Sequence, residues 1–419
     1  MKIVKSLCYA LALNGLAANE SIANAAQDTF VLSFSLAKEL LNKNNIELKR
    51  GNVEVSISEA ELKQDRLFEN PEISIQHNIN NPVTGRYFEF GYDGQTDIQL
   101  SQRIYIGGQR AEKVRMKKAN VQRTKAELKN TERLLLRDIF SMITESFYIQ
   151  QKITILNEEV DMIDRILQLY ETQLQKGNVS NVEVIRIKSQ KIQLQKEINE
   201  LELADLSTQN QLRLILGIEQ ETDISVDVNE NEIFSKIESL TTDKIMADIE
   251  NRSDLQIARQ NIEMAKYNVK LQRANVLPEL KIEGEWDKNG NIGHNYFGAG
   301  VSLTLPIFNH NQGNVNAAHH NLENRQLEFA FLQREVENEK LLNWQCLQRL
   351  QKEADESGKV AEEMSTQIIN NAQLQYMNHN ISLLELIDHL ETYKDVQFSH
   401  INNKTELIKK TVSLDLLNK

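Results

Sequence analysis

Asn70-Pro71-Glu72-Ile73-Ser74-Ile75 returns 207 positions later as Leu277-Pro278-Glu279-Leu280-Lys281-Ile282. Two further blocks recur in the same order. Ile104-Tyr105-Ile106-Gly107-Gly108-Gln109 returns as Ile307-Phe308-Asn309-His310-Asn311-Gln312, 203 positions on, and Gly177-Asn178-Val179-Ser180-Asn181-Val182-Glu183-Val184-Ile185 as His379-Asn380-Ile381-Ser382-Leu383-Leu384-Glu385-Leu386-Ile387, 202 on. Ordered matches at nearly one spacing mark a tandem duplication, so each half is expected to build the same substructure. The first repeat spans 26–276 and the second 277–419.

The repeated blocks contain strands. In the first, Ile73, Ile75 and Ile79 alternate with Glu72, Ser74, Gln76 and Asn78; in the third, Leu280, Ile282 and Trp286 alternate with Glu279, Lys281, Glu283 and Glu285. Phe297, Ala299, Val301, Leu303 and Leu305 face one way and Gly298, Gly300, Ser302 and Thr304 the other, while Ile98, Leu100 and Ile104 oppose Asp97, Gln99, Ser101 and Arg103. Period-two patterning predicts strands at about 71–79, 96–106, 278–287 and 296–307. Segments of about ten residues with one apolar face fit tilted strands crossing a bilayer. Trp286, Tyr296 and Phe88 are placed as interfacial aromatics, and the competing expectation is a half-buried sheet in a soluble domain.

Between the strand blocks the chain reads as long helices. The only prolines are Pro71, Pro82, Pro278 and Pro306, all within or beside those blocks, so the stretches between are free of the residue most hostile to helix interiors. Leu135, Ile139, Met142, Ser146, Ile149, Ile153, Leu156, Val160, Ile163, Leu167, Tyr170 and Leu174 step by four and three, which is a heptad seam. Outbound helices are predicted at 109–176 and 312–378, each about 100 Å long at about 1.5 Å per residue. The first return path is divided into 180–216 and 243–274 by an equatorial segment at 217–242. Helices at 34–70 and 382–417 supply the second return path. The expected result is two helical hairpins, each with one long and one divided arm, with tips near 177 and 379.

Lys2 and Lys5 precede an apolar run from Leu7 to Ala18 and the small-residue pattern Ala23-Asn24-Ala25, so 1–25 reads as an export signal. The formal net charge is −12, and loss of Lys2, Lys5 and Glu20 makes the mature chain one unit more acidic, which argues against a nucleic-acid partner. No later segment has the ~18 consecutive apolar residues of a spanning helix, so any membrane crossing must use strands. Cys8 leaves with the signal, and its place before most of the apolar run argues against lipidation. Cys346 then has no partner within the mature chain, which excludes an intramolecular disulfide and a cysteine metal cluster.

Four strands cannot close a membrane barrel, for which eight is about the minimum, and open edges are not tolerated in lipid. The sequence therefore predicts an oligomeric barrel, and three chains give twelve strands.

These features together resemble the TolC-like outer membrane efflux protein family over nearly all of the mature chain. The resemblance is carried by Leu303-Thr304-Leu305-Pro306-Ile307-Phe308-Asn309-His310-Asn311-Gln312-Gly313, its degenerate copy around Ile104 to Gln109, the turn Lys176-Gly177-Asn178 and the Leu216-Gly217 helix ending. The run from Pro306 to Gly313 is most like the CzcC-like branch serving metal-cation exporters. The resemblance implies a mostly α protein with a small transmembrane β part: a homotrimer whose twelve-stranded barrel in the outer membrane lipid continues into a helical tunnel across the periplasm. It further implies docking onto a periplasmic adaptor bound to an inner-membrane pump, expected to be proton-driven. Two departures are His379, where the first-half turn has glycine, and the absence of proline from the first-half strand-to-helix copy.

The tip is the expected functional site. Gly177 and Asn178 suit a tight reversal, and Ser180 and Ser382 with Glu183 and Glu385 match capping boxes. Asp388 lies one turn beyond Glu385. In the family, acidic residues at the matching positions line the inner constriction, so three copies of Glu385 and Asp388 are expected to form a ring admitting cations. Gly177, Asn178, Val179, Ser180, Val182, Glu183, Val184, His379, Asn380, Ile381, Ser382, Leu384 and Leu386 are the expected adaptor-docking tip. His310, His319 and His320 lack the spacing of a shared metal site, and no metal, cofactor or catalytic constellation is expected. The function expected is a passive exit duct of a tripartite efflux system. The alternatives are a non-conducting coiled-coil adaptor or scaffold and the exit duct of a protein secretion system.

Overall fold

The computed structural model describes residues 30–219, 224–239, 251–290, 292–364, 366–378 and 380–417. The expected signal at 1–25, His379 and parts of 217–242 and of the helix predicted from 243 lie outside the described residues. The chain runs through β1 (Phe30–Leu32), α1 (Phe34–Asn44), α2 (Ile46–Asp65), β2 (Glu72–His77), β3 (Thr96–Tyr105), α3 (Gln109–Gln175) and α4 (Asn181–Leu216). It continues through β4 (Ile224–Val226), α5 (Glu230–Ser239), α6 (Ser253–Ala274), β5 (Glu279–Gly290), β6 (Gly293–Thr304), α7 (Gln312–Glu363), α8 (Thr366–Met377) and α9 (Leu383–Leu417).

The strands β2-β3-β5-β6 form one antiparallel sheet with β2 and β6 at its edges. Its register places Ile73 beside Leu100 and Ile75 beside Ile98, Ile98 beside Trp286, Trp286 beside Phe297, and Ile282 beside Val301. One face is thus almost wholly apolar, and it is open to solvent in the protomer: Phe297 is 76% and Val301 70% exposed. The other carries Asp97, Gln99, Ser101, Glu283, Glu285 and Asp287, with Gln99 donating to Glu283 at 3.2 Å. Tyr296 pairs with Asp287 on this polar face, and its ring lies against the Cβ position of Gly298. It therefore faces away from Trp286, so the two expected interfacial aromatics stand on opposite faces of the sheet.

The two hairpins differ at their outer ends. Strands β5 and β6 stay paired to Gly290 and Gly293, where the sequence predicted a wider gap. Between β2 and β3 the chain makes a folded excursion at 78–95 around Asn81. The Asn81 side chain donates to Glu89 and to the Asp93 carbonyl and accepts from the Val83 and Thr84 amides.

The duplication is visible in the backbone. Gly108 and Asn311, equivalent at the repeat offset, both take left-handed conformation immediately before α3 and α7, with φ of 79° and 56°. Each joint is tied to the end of α6: Gln109 Nε2 donates to the Ala274 carbonyl at 3.0 Å and Asn311 Nδ2 to the Gln272 carbonyl at 2.8 Å. These bonds satisfy carbonyls that a helix end leaves without partners. A Cβ on Gly107 would stand 2.8 Å from the Ala274 carbonyl oxygen, so glycine permits the close approach.

Helix α3 runs unbroken for 67 residues, about 100 Å, and packs along α4 and α6. Its heptad seam is buried or half-buried throughout. The polar member Ser146 donates to Asp205 Oδ1 on α4 at 2.5 Å, and Gln150 and Gln209 donate to the other oxygen of the same carboxylate. A single satisfied polar contact within an apolar seam fixes the register of the two helices.

Several helix boundaries differ from the sequence expectation. The outbound arm of the second hairpin is divided between α7 and α8. The first helix is broken at Asn45, whose side chain caps α2 through Leu48 and donates to the Ile215 carbonyl at the end of α4. It ends at Asp65 rather than near 70. Among the described residues the second return helix begins at Ser253 with Arg252 as its N-cap, and the expected start at 243 lies outside them. The segment at 217–242 is not merely a polar interruption: β4 pairs in parallel with β1, and α5 presents Glu230 to Tyr148 at 2.6 Å and Lys404 at 3.0 Å. These contacts belt the middle of the bundle around Leu32, Leu41, Ile139, Ile143, Leu212 and Leu216. A second apolar cluster, including Leu156, Ile163, Leu194, Ile198, Leu386 and Leu390, fills the half toward the tip.

Candidate functional site

Helices α3 and α4 meet at a turn in which Gly177 takes φ of 75° and the Asn178 amide donates to the Gln173 carbonyl at 3.0 Å. In the second repeat the Asn380 amide donates to the Gln375 carbonyl at 2.8 Å, the same bond shifted by the repeat offset. The turn closure is therefore shared although glycine is present in only one copy. His379 itself lies outside the described residues.

Both following helices start with a capping box. Ser180 Oγ accepts from the Glu183 amide at 3.3 Å while Glu183 accepts from the Ser180 amide at 2.9 Å. Ser382 and Glu385 exchange the equivalent bonds at 3.2 and 2.7 Å. The Ser382 backbone amide, and then its hydroxyl, hold the Glu385 carboxyl below the usual carboxylate range. Glu385 is thereby kept ionised and fixed in direction at the start of α9. Asp388 lies three residues on, exposed on the same helix face.

The apolar tip residues divide by burial. Val182 is 69% and Leu384 63% exposed, and these remain available as a surface. Val184 and Leu386 are buried, Leu386 within the cluster joining α9 to α3 and α4. Their expected part in a docking surface is corrected: both are buried within the protomer, because the helical period turns them away from the exposed side that carries Val182 and Leu384. Val179 and Ile381 are half-buried beneath the turns, and Gly177, Asn178, Ser180, Asn380 and Ser382 are exposed.

Sequence reasoning missed the contact between the two outbound arms. Tyr376 of α8 stacks on Tyr170 of α3, and its hydroxyl donates to that of Tyr170. The two are not equivalent under the repeat, so the duplication gave no means of pairing them. Tyr170 alone was marked, by its place in the seam.

Among the described residues no group of three or more histidine, cysteine or acidic side chains is arranged to hold a metal ion. His319 contacts Arg273 and His320 contacts Glu323, while His310 is exposed. Among those residues, too, no helix is long and apolar enough to cross a membrane.

A model of the family described as outer membrane efflux protein matches residues 36–218 and 247–363. The chain is 20% identical over 291 residues to the cobalt-zinc-cadmium resistance protein CzcC of Cupriavidus metallidurans, a match covering 68% of this chain and 66% of that protein, just under two thirds of its length. Its fold is similar to that of CusC, solved in a study of folding and transmembrane channel formation, with a TM-score of 0.75 at 16% identity over 93% of each chain. The CmeC outer membrane channel of Campylobacter jejuni gives 0.75 at 17% identity over 92% of this chain and 85% of that one. The outer membrane protein VceC of Vibrio cholerae gives 0.72 at 13% identity, covering 92% and 96%. All three share the arrangement of long helices joined to a small sheet.

Proposed function

The chain belongs to the outer membrane efflux protein family and resides in the outer membrane, and from that premise we propose that three copies form a passive exit duct for cargo delivered by an inner-membrane pump through a periplasmic adaptor. The observation that carries this is the sheet: four strands with an exposed apolar face, a charged opposite face and two open edges, leading through short connections into α3, about 100 Å long, and α7, about 78 Å long. An open edge in lipid leaves backbone groups without partners, and closing it with neighbouring copies removes that cost. Three copies give twelve strands with the polar faces inward, continued by the helices as a tunnel.

The cargo we infer is cationic, metal ions foremost. Supporting this are the likeness to a cobalt-zinc-cadmium resistance protein and the acids on the inward sheet face, Asp97, Glu283, Glu285 and Asp287. Supporting it further is the pair Glu385 and Asp388 at the tip, six carboxylates in a trimer. Val182 and Leu384 are the apolar groups offered to the adaptor. Selection of cargo falls to the pump, and the duct performs no chemistry.

Conductance of the purified protein in planar bilayers tests the proposal. Discrete, cation-selective current steps are expected; their absence from a correctly folded trimer contradicts a duct and favours a non-conducting scaffold.

A further inference from the structure

Glu159 lies on α3 about a quarter of the way back from the tip. It is 6% exposed, and neither carboxylate oxygen has a hydrogen-bond partner. Its burial comes from its own chain, so assembly cannot relieve it. The cation that acts on it, Lys394 of α9, is already committed to Glu197 of α4, with both carboxylate oxygens at 3.1 Å. One turn nearer the tip, by contrast, Asp164 of α3 is paired with Lys191 of α4 at 2.6 Å, so this helix interface supplies cations elsewhere.

The groups acting on Glu159 are Glu197 from α4, and Lys394, Glu391 and Asp395 from α9. Tyr393 of α9 also lies close enough to feel Glu158 and Glu159. Three acids surround one lysine, in a seam walled by Leu156, Ile163, Leu194, Ile198 and Leu390. Burial above all raises the Glu159 carboxyl, Lys394 pulls the other way, and Glu197, Glu391 and Asp395 add to the rise, which together bring it to about 7. An uncharged carboxyl fits this seam as it stands, whereas a carboxylate needs a cation or water.

We propose that Glu159 is a proton-operated latch on the tip half of the bundle: neutral, it lets α3, α4 and α9 close as observed, and ionised, it draws Lys394 from Glu197 and loosens that seam. The device acts at the layer where the return helices of both hairpins, α4 and α9, meet α3, so loosening it frees the tip from which both helices start. That loosening raises passage through the duct rests on the function proposed above; the effect on stability does not. A carboxyl whose folded pKa lies above its unfolded value binds more protons folded than unfolded between the two. Stability therefore falls as pH climbs from the ordinary carboxylate range to about 7, and Glu159 adds no further change above it.

The test compares the purified full-length protein with E159Q, a neutral isostere, and with E197Q, which leaves Lys394 free. From about pH 5 to about pH 8 the wild-type melting midpoint should fall by several degrees relative to E159Q, and open-channel probability should rise in the wild type but not in E159Q. E197Q should move the step to lower pH, because a freed Lys394 stabilises the Glu159 carboxylate. An E159Q protein that keeps the wild-type pH dependence of melting overturns the latch, and an E197Q step that does not move overturns the re-pairing. If the melting shift appears and no variant conducts, the latch stands and the duct fails.

Discussion

Tyr376 stacks on Tyr170 with ring centroids 6.1 Å apart and planes 9° from parallel, and donates its hydroxyl to the Tyr170 hydroxyl. The pair joins the outbound arms of the two hairpins just above their turns. Burial, and then the Tyr170 partner, keep Tyr376 in its neutral form.

Replacing Tyr376 with phenylalanine keeps the stack and deletes the donor, leaving the Tyr170 hydroxyl without it. We expect a loss of about 1 kcal/mol in stability, and faster hydrogen exchange confined to the turns at 176–180 and 380–382. Y170F should cost a similar amount, and the double variant little more than either alone, because one bond is lost in each. Full additivity in denaturation experiments contradicts a direct contact.

The two sheet faces should respond oppositely to charge. Val301 lies on the apolar face beside Ile282, and Ser302 on the polar face beside Lys281, with Glu279 and Glu283 two residues away on either side. Val301→Arg should cost about 2–4 kcal/mol near mid-membrane and block insertion into vesicles, while Ser302→Arg should insert as wild type. Equal insertion of both variants would show that the apolar face does not meet lipid.

At the tip, E385Q with D388N should reduce cation over anion selectivity, read as a reversal-potential shift under a salt gradient. Ser382 lowers the Glu385 pKa, so its stabilising effect on the first turn of α9 is present above the unfolded carboxylate value and lost as pH falls through the lower folded one. Melting of the E385Q protein should accordingly lack part of the wild-type loss at acid pH. Unchanged selectivity in the double variant removes these two carboxylates from the aperture.

Asp205→Ala should be among the costliest changes in the periplasmic helices. It strips Ser146, Gln150 and Gln209 of their common acceptor inside the α3–α4 seam. We expect about 1–3 kcal/mol by chemical denaturation, and Asp205→Asn, which keeps one acceptor oxygen, should recover part of it.

Much of the fold was legible because it is written in periods. The two-residue alternation from Ile73 and from Phe297 placed the strands, and the seam from Leu135 to Leu174 placed α3, since in each case one face alone is buried or apolar. The breaks were not legible. Asn45 ends α1 by capping α2 and by a single tertiary bond to the Ile215 carbonyl, a partner remote in sequence. The division between α7 and α8 interrupts a stretch free of proline, and its one nearby glycine, Gly358, lies inside α7 six residues before the break, so no residue at the break marked it. At the site, the capping boxes at Ser180 and Ser382 could be read from spacing alone. Val184 and Leu386 could not be separated from Val182 and Leu384 without knowing which side of each helix faces α3. Glu159 gave no signal, because a glutamate in a charged helix is ordinarily solvated, and only the packing of α4 and α9 over it makes it unusual.

The central claim is that strands from several copies close one another's edges in lipid. The most direct measurement is the mass of the detergent-extracted mature protein by native mass spectrometry, together with its solubility once detergent is removed. Three chains per particle and precipitation without detergent are predicted. A monomer that stays in solution without detergent would contradict the account.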